Sequence, residues 1–199
     1  MTQQGKNAID LVLAESLIEL SAKKPIDKIT IKEITDKAGV IRPTFYNHFQ
    51  DKYELIEWII KTELLEPIKP LLNAGMIFEA IVLMLNNISA NSVMLNNISA
   101  NSFFYKKALK LEGAVTFNQI AMKCVYEMFM NIISEKSTGK KSKYRWLTPE
   151  VISTYYAQSL CFITEGWIAQ GMDDIEPKEM AEAYMYLITR SMDDILSEL

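Results

Sequence analysis

Apolar side chains recur with a helical period along most of the chain. Five of them share one face of a helix predicted over residues 6–22: Ile9, Val12, Leu13, Leu17 and Leu20. The same period predicts further helices at about 76–90, 102–111, 114–135, 148–171 and 177–198. No segment alternates apolar and polar residues over the length that a strand needs. The pattern therefore predicts an all-α protein.

Between residues 30 and 52 the predicted helices become short and closely spaced. Thr30, with Glu33 three residues later, forms a capping box for a helix over residues 31–38. Gly39 follows as the residue that adopts the left-handed conformation at a helix end. Pro43 suits the first turn of a second short helix, which reaches about His48. Two short helices joined by a tight turn are therefore expected here.

A fourth helix is predicted from about residue 52 to 66, with Asp51 as its cap and Pro67 at its end. It divides the chain into two parts. Residues 1–52 are predicted to form an N-terminal three-helix domain, and residues 53–199 a larger helical domain. The fourth helix connects the two.

The short helix after Pro43 is the most informative segment for function. A helix of this length is not stable alone, so Phe45 and Phe49 are expected to hold it against its neighbours. The opposite face is then free, and it offers several polar groups and one apolar ring: Arg42, Pro43, Thr44, Tyr46, Asn47 and His48. Such a set suits a DNA groove with base edges on its floor and phosphates along its walls. The sequence therefore predicts a helix-turn-helix that reads DNA.

The charge distribution is compatible with this interpretation despite a net charge of −4. Residues 20–52 carry seven Lys and Arg against four Asp and Glu, whereas residues 62–199 carry twelve against sixteen. Phosphate binding depends on the local field and not on the total charge.

The segment that contains the predicted helix-turn-helix is similar to the N-terminal domain of the TetR family of bacterial transcription regulators. The likeness covers roughly residues 8–60. It depends on the following residues at family spacing: Thr30, Ile34, Ala38, Gly39, Val40, Thr44, Phe45, Tyr46, Asn47, His48, Phe49, Asp51, Lys52 and Leu55. One departure is Ile41, which stands where many members have a Ser, Thr or Asp that caps the recognition helix.

The resemblance implies a role for each polar residue of this segment. Arg42 would contact base edges in the major groove and Pro43 a thymine methyl group. Asn47 would contact a base or a phosphate. Phosphates would be bound by the remaining set: Thr30, Thr44, Tyr46, His48 and Lys52. Alternatives stay open for three of them, because His48 and Tyr46 could be packed inside the domain and Lys52 could be an ordinary solvated lysine.

The resemblance also implies a homodimer on a palindromic, double-stranded DNA operator, in which the last two helices pair with those of a second subunit. In the last helix a broad apolar stripe is the predicted dimer interface: Met180, Tyr184, Leu187, Ile188, Met192 and Ile195. A small-molecule effector would bind between the central helices. The predicted pocket residues are Met122, Tyr126, Phe129, Tyr155, Tyr156, Phe162 and Trp167, although a stripe of Met and aromatic residues is also typical of plain core.

The basic stretch from Lys140 to Trp146 resembles the branch of the family that includes the dihydroxyacetone-kinase operon activator. The family resemblance implies a repressor released by a small molecule. The likeness to this branch adds the alternative of an activator or co-regulator of the same fold, controlled by a protein partner.

An enzyme is a remote alternative, because the chain has no GxxxxGK[ST], GxSxG or HExxH motif. We expect no enzymatic activity, no cofactor and no metal. Cys124 and Cys161 stand far apart and are expected to be buried small hydrophobes in a cytoplasmic protein, and no apolar run is long enough for a membrane span. Residues 84–92 recur letter for letter as residues 94–102, which favours a recent duplication or a sequence error over a functional repeat.

Overall fold

The computed structural model describes residues 3–89, 100–113, 115–136, 143–172 and 174–198, and helices dominate these ranges. The predicted all-α class is confirmed. The helices are α1 (Gln3–Ser21), a one-turn 3-10 helix (Ile26–Lys28), α2 (Ile31–Ala38), α3 (Arg42–Tyr46), α4 (Lys52–Ile59), α5 (Lys69–Asn73), α6 (Ile77–Ser89), α7 (Ala100–Ala108), α8 (Phe117–Lys136), α9 (Pro149–Ala169), α10 (Pro177–Thr189) and α11 (Met192–Glu198).

Helix α2 begins and ends where the sequence predicts. The Thr30 hydroxyl accepts a hydrogen bond from the Glu33 amide at 3.3 Å, and the Glu33 carboxylate accepts one from the Thr30 amide at 2.9 Å. Gly39 ends the helix with a φ of +68°, which a residue with a Cβ rarely adopts. The predicted capping box and the glycine end are confirmed.

Helix α4 continues beyond Ile59 as a π-helical turn (Ile60–Leu65), which periodicity does not predict. The Asp51 carboxylate caps α4 by accepting hydrogen bonds from the amides of Tyr53 and Glu54. In the widened turn, the Asn87 side-chain amide of α6 donates to the main-chain carbonyl of Glu63 at 3.0 Å. π-helical turns are frequent at functional sites. The residues around this turn are therefore candidates for a functional role.

The helices share a continuous hydrophobic core that runs from α1 to α10. Helix α1 packs on α2, α8 lies along α9, and α10 packs mainly on α6. Helix α4 contacts both α1 and α8, so it connects the N-terminal helices to the larger helical part. Cys124 and Cys161 are free and buried, as predicted, and burial raises the pKa of each thiol to about 12.

The C-terminal helix is not continuous over residues 177–198, and that prediction is wrong. Helix α10 ends at Thr189, Arg190 is extended, and α11 begins at Met192. The break has a local cause, because the Ser191 hydroxyl accepts from the Asp194 amide and the Asp194 carboxylate accepts from the Ser191 amide, each at 3.2 Å. This pair is a capping box that starts a new helix.

Most of the second copy of the repeated segment lies outside the described residues. Within the described ranges, no helix combines the length and hydropathy that crossing a membrane requires. The same ranges contain no cluster of three or more His, Cys, Asp or Glu residues arranged to hold a metal ion.

Candidate nucleic-acid interface and interior cavities

Helix α3 is held in place by aromatic side chains on its inner face. Phe45 is fully buried and Phe49 nearly so, with ring centroids 5.9 Å apart. The Phe49 ring meets Trp58 of α4 edge to face at 6.3 Å. These contacts fix a five-residue helix that would not be stable alone, and they leave its other face to solvent.

The outer face of α3 carries four exposed residues of the predicted set, which are Arg42, Pro43, Tyr46 and Asn47, whereas Thr44 is half-buried. One Arg42 guanidinium nitrogen donates to the Tyr46 hydroxyl at 3.2 Å, and the guanidinium lies 6.0 Å from the centre of the Tyr46 ring. These two contacts tie the arginine side chain to Tyr46. We call this set, with Ile41, the α3 surface.

Ile41 belongs to the α3 surface, although it is not among the residues predicted to contact DNA. It is the N-cap of α3, its side chain makes no capping hydrogen bond, and it is 68 % exposed. A large exposed aliphatic side chain beside Arg42 suits contact with a thymine methyl group. No periodic pattern identifies it, because it lies between two helices.

His48 does not lie on the α3 surface. Its side chain is 2 % exposed, and its Nδ1 lies 2.6 Å from an oxygen of the Asp10 carboxylate on α1. The predicted phosphate contact is corrected in favour of the buried alternative. The His48–Asp10 hydrogen bond ties the end of α3 to α1, and Asp10 has no signal in the sequence that would mark it as a partner.

Lys52 is also placed differently from the prediction. Its ammonium group donates to three main-chain carbonyls around the 3-10 helix, those of Ile26, Asp27 and Ile29, at 2.9, 2.7 and 3.1 Å. An ammonium group has three hydrogens, so these bonds use its full donor capacity. Burial lowers the pKa of Lys52. The structure therefore gives it a structural role in place of the predicted phosphate contact.

We expect Lys52→Met to lower the free energy of unfolding by about 1–3 kcal/mol, because three carbonyls lose a charged donor. Urea denaturation measures this loss. The salt dependence of DNA binding should not change, since no phosphate contact is removed. Lys28→Met, which removes a charge that is mostly in solvent, is the control. A flatter salt dependence with unchanged stability would restore the phosphate role.

Thr30 lies at the exposed start of α2, but its hydroxyl is already engaged. It donates to the Glu33 carboxylate at 2.7 Å, and that carboxylate also accepts from the Lys24 ammonium at 2.5 Å. The hydrogen bonds from Lys24 and from Thr30 lower the pKa of Glu33 to about 2. A phosphate at Thr30 would therefore have to replace a bond to a carboxylate.

Four charged side chains connect α4 to α8. The Glu57 carboxylate accepts from Lys61 at 2.6 Å and from Lys123 at 2.8 Å, and Lys61 also contacts Glu127 at 2.8 Å. Burial by itself would raise the pKa of Glu57, because it disfavours the charged form. The hydrogen bonds from Lys123 and Lys61 outweigh this effect, so the pKa is lowered. This network fixes the connecting helix to the larger helical part.

The larger helical part contains two adjacent cavities. The outer cavity, of about 390 Å³, lies between α6, α8, α9 and α10. The inner cavity, of about 40 Å³, lies beneath the π turn, between that turn and α6 to α9. Met84 and Leu160 belong to the walls of both. The two spaces therefore share part of their lining.

Two of the seven predicted effector residues, Phe129 and Tyr156, line the outer cavity. Trp167 is core, and its indole N–H donates to the Ile175 carbonyl at 2.9 Å. Tyr155 and Phe162 lie on the exposed face of α9, with Phe162 76 % exposed. Met122 and Tyr126 are half-buried on α8 and line neither cavity. The predicted pocket is thus corrected, because the packing of α9 turns part of the aromatic stripe outwards.

Of the predicted dimer residues, some are buried inside the subunit and others are exposed. Tyr184 is 3 % exposed, bonds to the Ser159 hydroxyl at 3.0 Å and lines the outer cavity together with Ile188. Leu187 and Met192 are exposed, whereas Met180 and Ile195 are half-buried. Tyr184 and Ile188 are therefore corrected to internal contacts, because α10 uses one side of its stripe against α6.

The π turn contains a largely buried acid, Glu63. Burial and the Glu15 carboxylate raise the pKa of Glu63 to about 7, against the usual 4.5. The fully buried hydroxyl of Tyr105 on α7 lies beside it, and its interaction with the Glu63 carboxylate partly offsets that rise in pKa. The junction between α1, the π turn and α7 therefore buries a carboxyl group beside a phenol.

Since the folded protein binds this proton more tightly than the unfolded chain, stability should fall as the pH rises from about 4.5 to about 7. We expect Glu63→Gln to remove this slope and to be more stable at pH 8, by about 2 kcal/mol. Urea denaturation at pH 5, 6, 7 and 8 measures the effect. The exposed Glu66→Gln is the control, and an unchanged slope in Glu63→Gln would contradict the assignment.

Comparison with known proteins adds two family matches. A family described as bacterial regulatory proteins, tetR family, matches residues 15–59, which include α2, α3 and α4. A second family, described as transcriptional regulator C-terminal region, matches residues 88–190, more than half of the chain.

Individual proteins agree with these matches. The HTH-type dhaKLM operon transcriptional activator DhaS of Lactococcus lactis subsp. lactis is 25% identical over 162 residues, 80% of this chain and 79% of that protein. Among solved structures, dihydroxyacetone kinase operon activator DhaS has a TM-score of 0.56 at 19% identity, covering 96% of this chain and 95% of that one. NalD, the secondary repressor of the MexAB-OprM multidrug efflux pump in Pseudomonas aeruginosa, has a TM-score of 0.58 at 13% identity, covering 92% and 95%. At these identities the two structural likenesses establish the fold alone.

Proposed function

Because the chain belongs to the TetR family of DNA-binding transcription regulators, we propose that it is a homodimeric repressor that a small molecule releases from a palindromic operator. The α3 surface reads the operator and the two interior cavities receive the effector. The N-terminal domain ends near residue 52, with α4 and its π turn as the connection. The protein works in the cytoplasm, where its DNA is.

The arrangement of the α3 surface is the observation that carries DNA reading. Arg42 is exposed and held by Tyr46, so it can present two parallel donors to a guanine edge. Pro43 and Ile41 offer apolar contacts beside it, and Asn47 offers an amide at the end of the helix. Thr44 and Tyr46 reach phosphates, and Thr30 remains a secondary contact because its hydroxyl is bonded to Glu33. His48 and Lys52 do not belong to this surface, because His48 bonds to Asp10 and Lys52 to three main-chain carbonyls.

Dimer formation is supported by apolar side chains that α9 and α10 leave in solvent. Tyr155 and Phe162 are exposed on α9, and Leu187 is exposed on α10. Met192 and Leu196 extend the exposed apolar surface onto α11. Burying these side chains against a second copy removes a large hydrophobic area from water. A two-fold dimer then places two α3 surfaces on successive turns of the DNA.

Coupling to an effector is supported by the position of the cavities. Helix α10 carries cavity residues such as Tyr184 on one side and the exposed Leu187 on the other, and the π turn of α4 covers the inner cavity. A ligand that favours one arrangement of α10 and α4 changes the spacing of the two α3 surfaces.

Selection of bound DNA from a random pool tests the DNA-reading part of this proposal. We expect a palindromic sequence with guanines in each half-site. Sedimentation with the selected DNA should give two chains per duplex. Binding that shows no sequence preference at physiological salt would contradict the proposal.

An activator controlled by a protein partner is the second candidate. It is supported by the similarity to DhaS, which is itself named as an activator. It is also supported by the exposed Trp146, which lies in a groove with Tyr155 near the start of α9.

Deleting the gene while following transcription beside the operator distinguishes the two candidates. Transcription rises on deletion if the protein is a repressor and falls if it is an activator. A partner bound by the wild-type protein but not by Trp146→Ala would favour the second candidate.

A further inference from the structure

We propose that the outer cavity binds a compact, uncharged molecule that is apolar throughout, such as a fused-ring or alicyclic hydrocarbon. The inner cavity receives no more than the tip of this molecule. This inference rests on the proposed function, because it names the chemical class of the effector.

The wall of the outer cavity consists almost entirely of hydrocarbon side chains. All of its lining residues except Tyr156, Tyr184 and Thr189 are Ala, Ile, Leu, Met or Phe, and no charged side chain is found among the described residues of this wall. A charged group buried there would lose its hydration without gaining an ion-pair partner. The wall therefore selects against both anions and cations.

Two of the three hydroxyl groups in this wall are already engaged. The hydroxyls of Tyr184 and Ser159 share a hydrogen bond at 3.0 Å, and the Thr189 hydroxyl donates at 2.6 Å to a main-chain carbonyl one turn earlier on α10. The third belongs to Tyr156, whose ring lies against that of Phe129 with centroids 6.0 Å apart and offers an aromatic contact. A hydrogen-bonding group on the ligand would therefore gain little.

The volume of the outer cavity limits the size of the molecule. An apolar cavity of about 150 Å³ stays dry and binds benzene, so a space of about 390 Å³ accommodates roughly two to three rings. Water finds few hydrogen bonds in such a space, whereas an apolar molecule gains dispersion contacts with the wall. The methionines of the wall adapt to different ring shapes.

The inner cavity adds no polar contact. At about 40 Å³ it is too small for one aromatic ring. Its accessible surface is apolar, since the Tyr105 hydroxyl interacts with the Glu63 carboxylate and the Glu165 carboxylate accepts from the Asn118 amide at 2.6 Å. The chemical class of the ligand is therefore set by the outer cavity.

Four naphthalene derivatives test the chemical class on the full-length protein. 1-Ethylnaphthalene, 1-naphthalenemethanol and 1-naphthylmethylamine are nearly equal in shape and at pH 7 carry an apolar, a hydroxyl and a cationic end, while 1-naphthoate supplies an anion. Displacement of the neutral dye N-phenyl-1-naphthylamine gives the affinities, and thermal denaturation provides a second readout. We expect 1-ethylnaphthalene to bind at least tenfold more tightly than either charged compound and more tightly than the alcohol. Equal or tighter binding of any of the other three would overturn the proposal.

Two variants that fill the outer cavity test the location. Ala80→Leu on α6 and Ile188→Phe on α10 should each weaken 1-ethylnaphthalene binding at least threefold, and without ligand they should unfold at the same or a higher temperature. Ala183→Leu, at an exposed position of α10 outside both cavities, is the matched control and should bind as the wild type does. If Ala80→Leu does not fold, Ile188→Phe decides alone, because its position is half-buried. Unchanged affinity in the folded variants would refute the proposed site.

Tyr156→Phe tests whether the ligand is apolar throughout. It should leave the affinities for 1-ethylnaphthalene and 1-naphthalenemethanol within about twofold, because only the ring of Tyr156 contacts the ligand. A loss of affinity confined to the alcohol would show that this hydroxyl binds a polar group, and the proposed class would be wrong.

Operator binding is measured on the same preparations without any of the four compounds. If the operator binds and 1-ethylnaphthalene does not, the ligand class is wrong and the proposed function stands. If the operator does not bind, the proposed function fails whatever the ligand result.

Discussion

Replacing Arg42 by alanine is expected to weaken binding to the selected operator by about 1–3 kcal/mol for each half-site, and to relax the sequence preference at the base it contacts. The physical reason is that the guanidinium, held by Tyr46 at 3.2 Å, offers a rigid pair of donors at the exposed start of α3. Fluorescence anisotropy with operator and with random DNA of equal length measures both effects.

Lys110→Ala is the control for Arg42→Ala, because it removes one positive charge from an exposed position just after α7, away from the α3 surface. It should leave operator binding within about twofold, as expected for an unrelated surface charge. If Arg42→Ala weakened operator and random DNA equally, Arg42 would be a phosphate contact and not a base contact.

Replacing Phe45 by alanine is expected to lower the free energy of unfolding by about 3–5 kcal/mol. The Phe45 ring is fully buried, and its neighbours Phe49 and Tyr46 lie 5.9 and 5.7 Å away between ring centroids. A loss of this size is a large part of the stability of an ordinary domain, so the first four helices should be the first to unfold. Urea denaturation followed by circular dichroism measures the change.

Tyr46→Ala is the matched comparison at the next position. Tyr46 is half exposed, so its loss should cost less than about 1 kcal/mol of stability while operator affinity falls, because Arg42 loses its support. In Phe45→Ala the main effect should instead be the loss of stability. A stability loss below 1 kcal/mol in Phe45→Ala would show that this ring does not hold α3.

Local signals predicted the N-terminal helices well because the relevant interactions lie within four residues of one another. Thr30 with Glu33, Gly39, Pro43 and Asp51 each act on their own turn of helix, and each lies where the sequence indicates. The break at Ser191 was equally local. Its signal, Ser191 with Asp194, was present in the sequence but lay inside a long apolar stripe.

Roles that depend on distant partners could not be predicted in the same way. His48 is buried because Asp10, thirty-eight positions earlier, lies opposite it, and Lys52 is engaged because the carbonyls of the 3-10 helix converge on it. Nothing in the neighbourhood of either residue in the sequence distinguishes a phosphate contact from these bonds.

The sequence by itself determined the all-α class, the helix-turn-helix and the exposure of Arg42, Pro43 and Asn47, because periodicity and capping act over short distances. It left open whether Tyr46 is packed inside the domain. Only the tertiary structure decided which side of α9 and α10 faces inwards. An apolar stripe reports that a helix face will be buried but not what will cover it. For that reason Phe162 is exposed where a pocket was expected, and Tyr184 lines a cavity where an interface was expected.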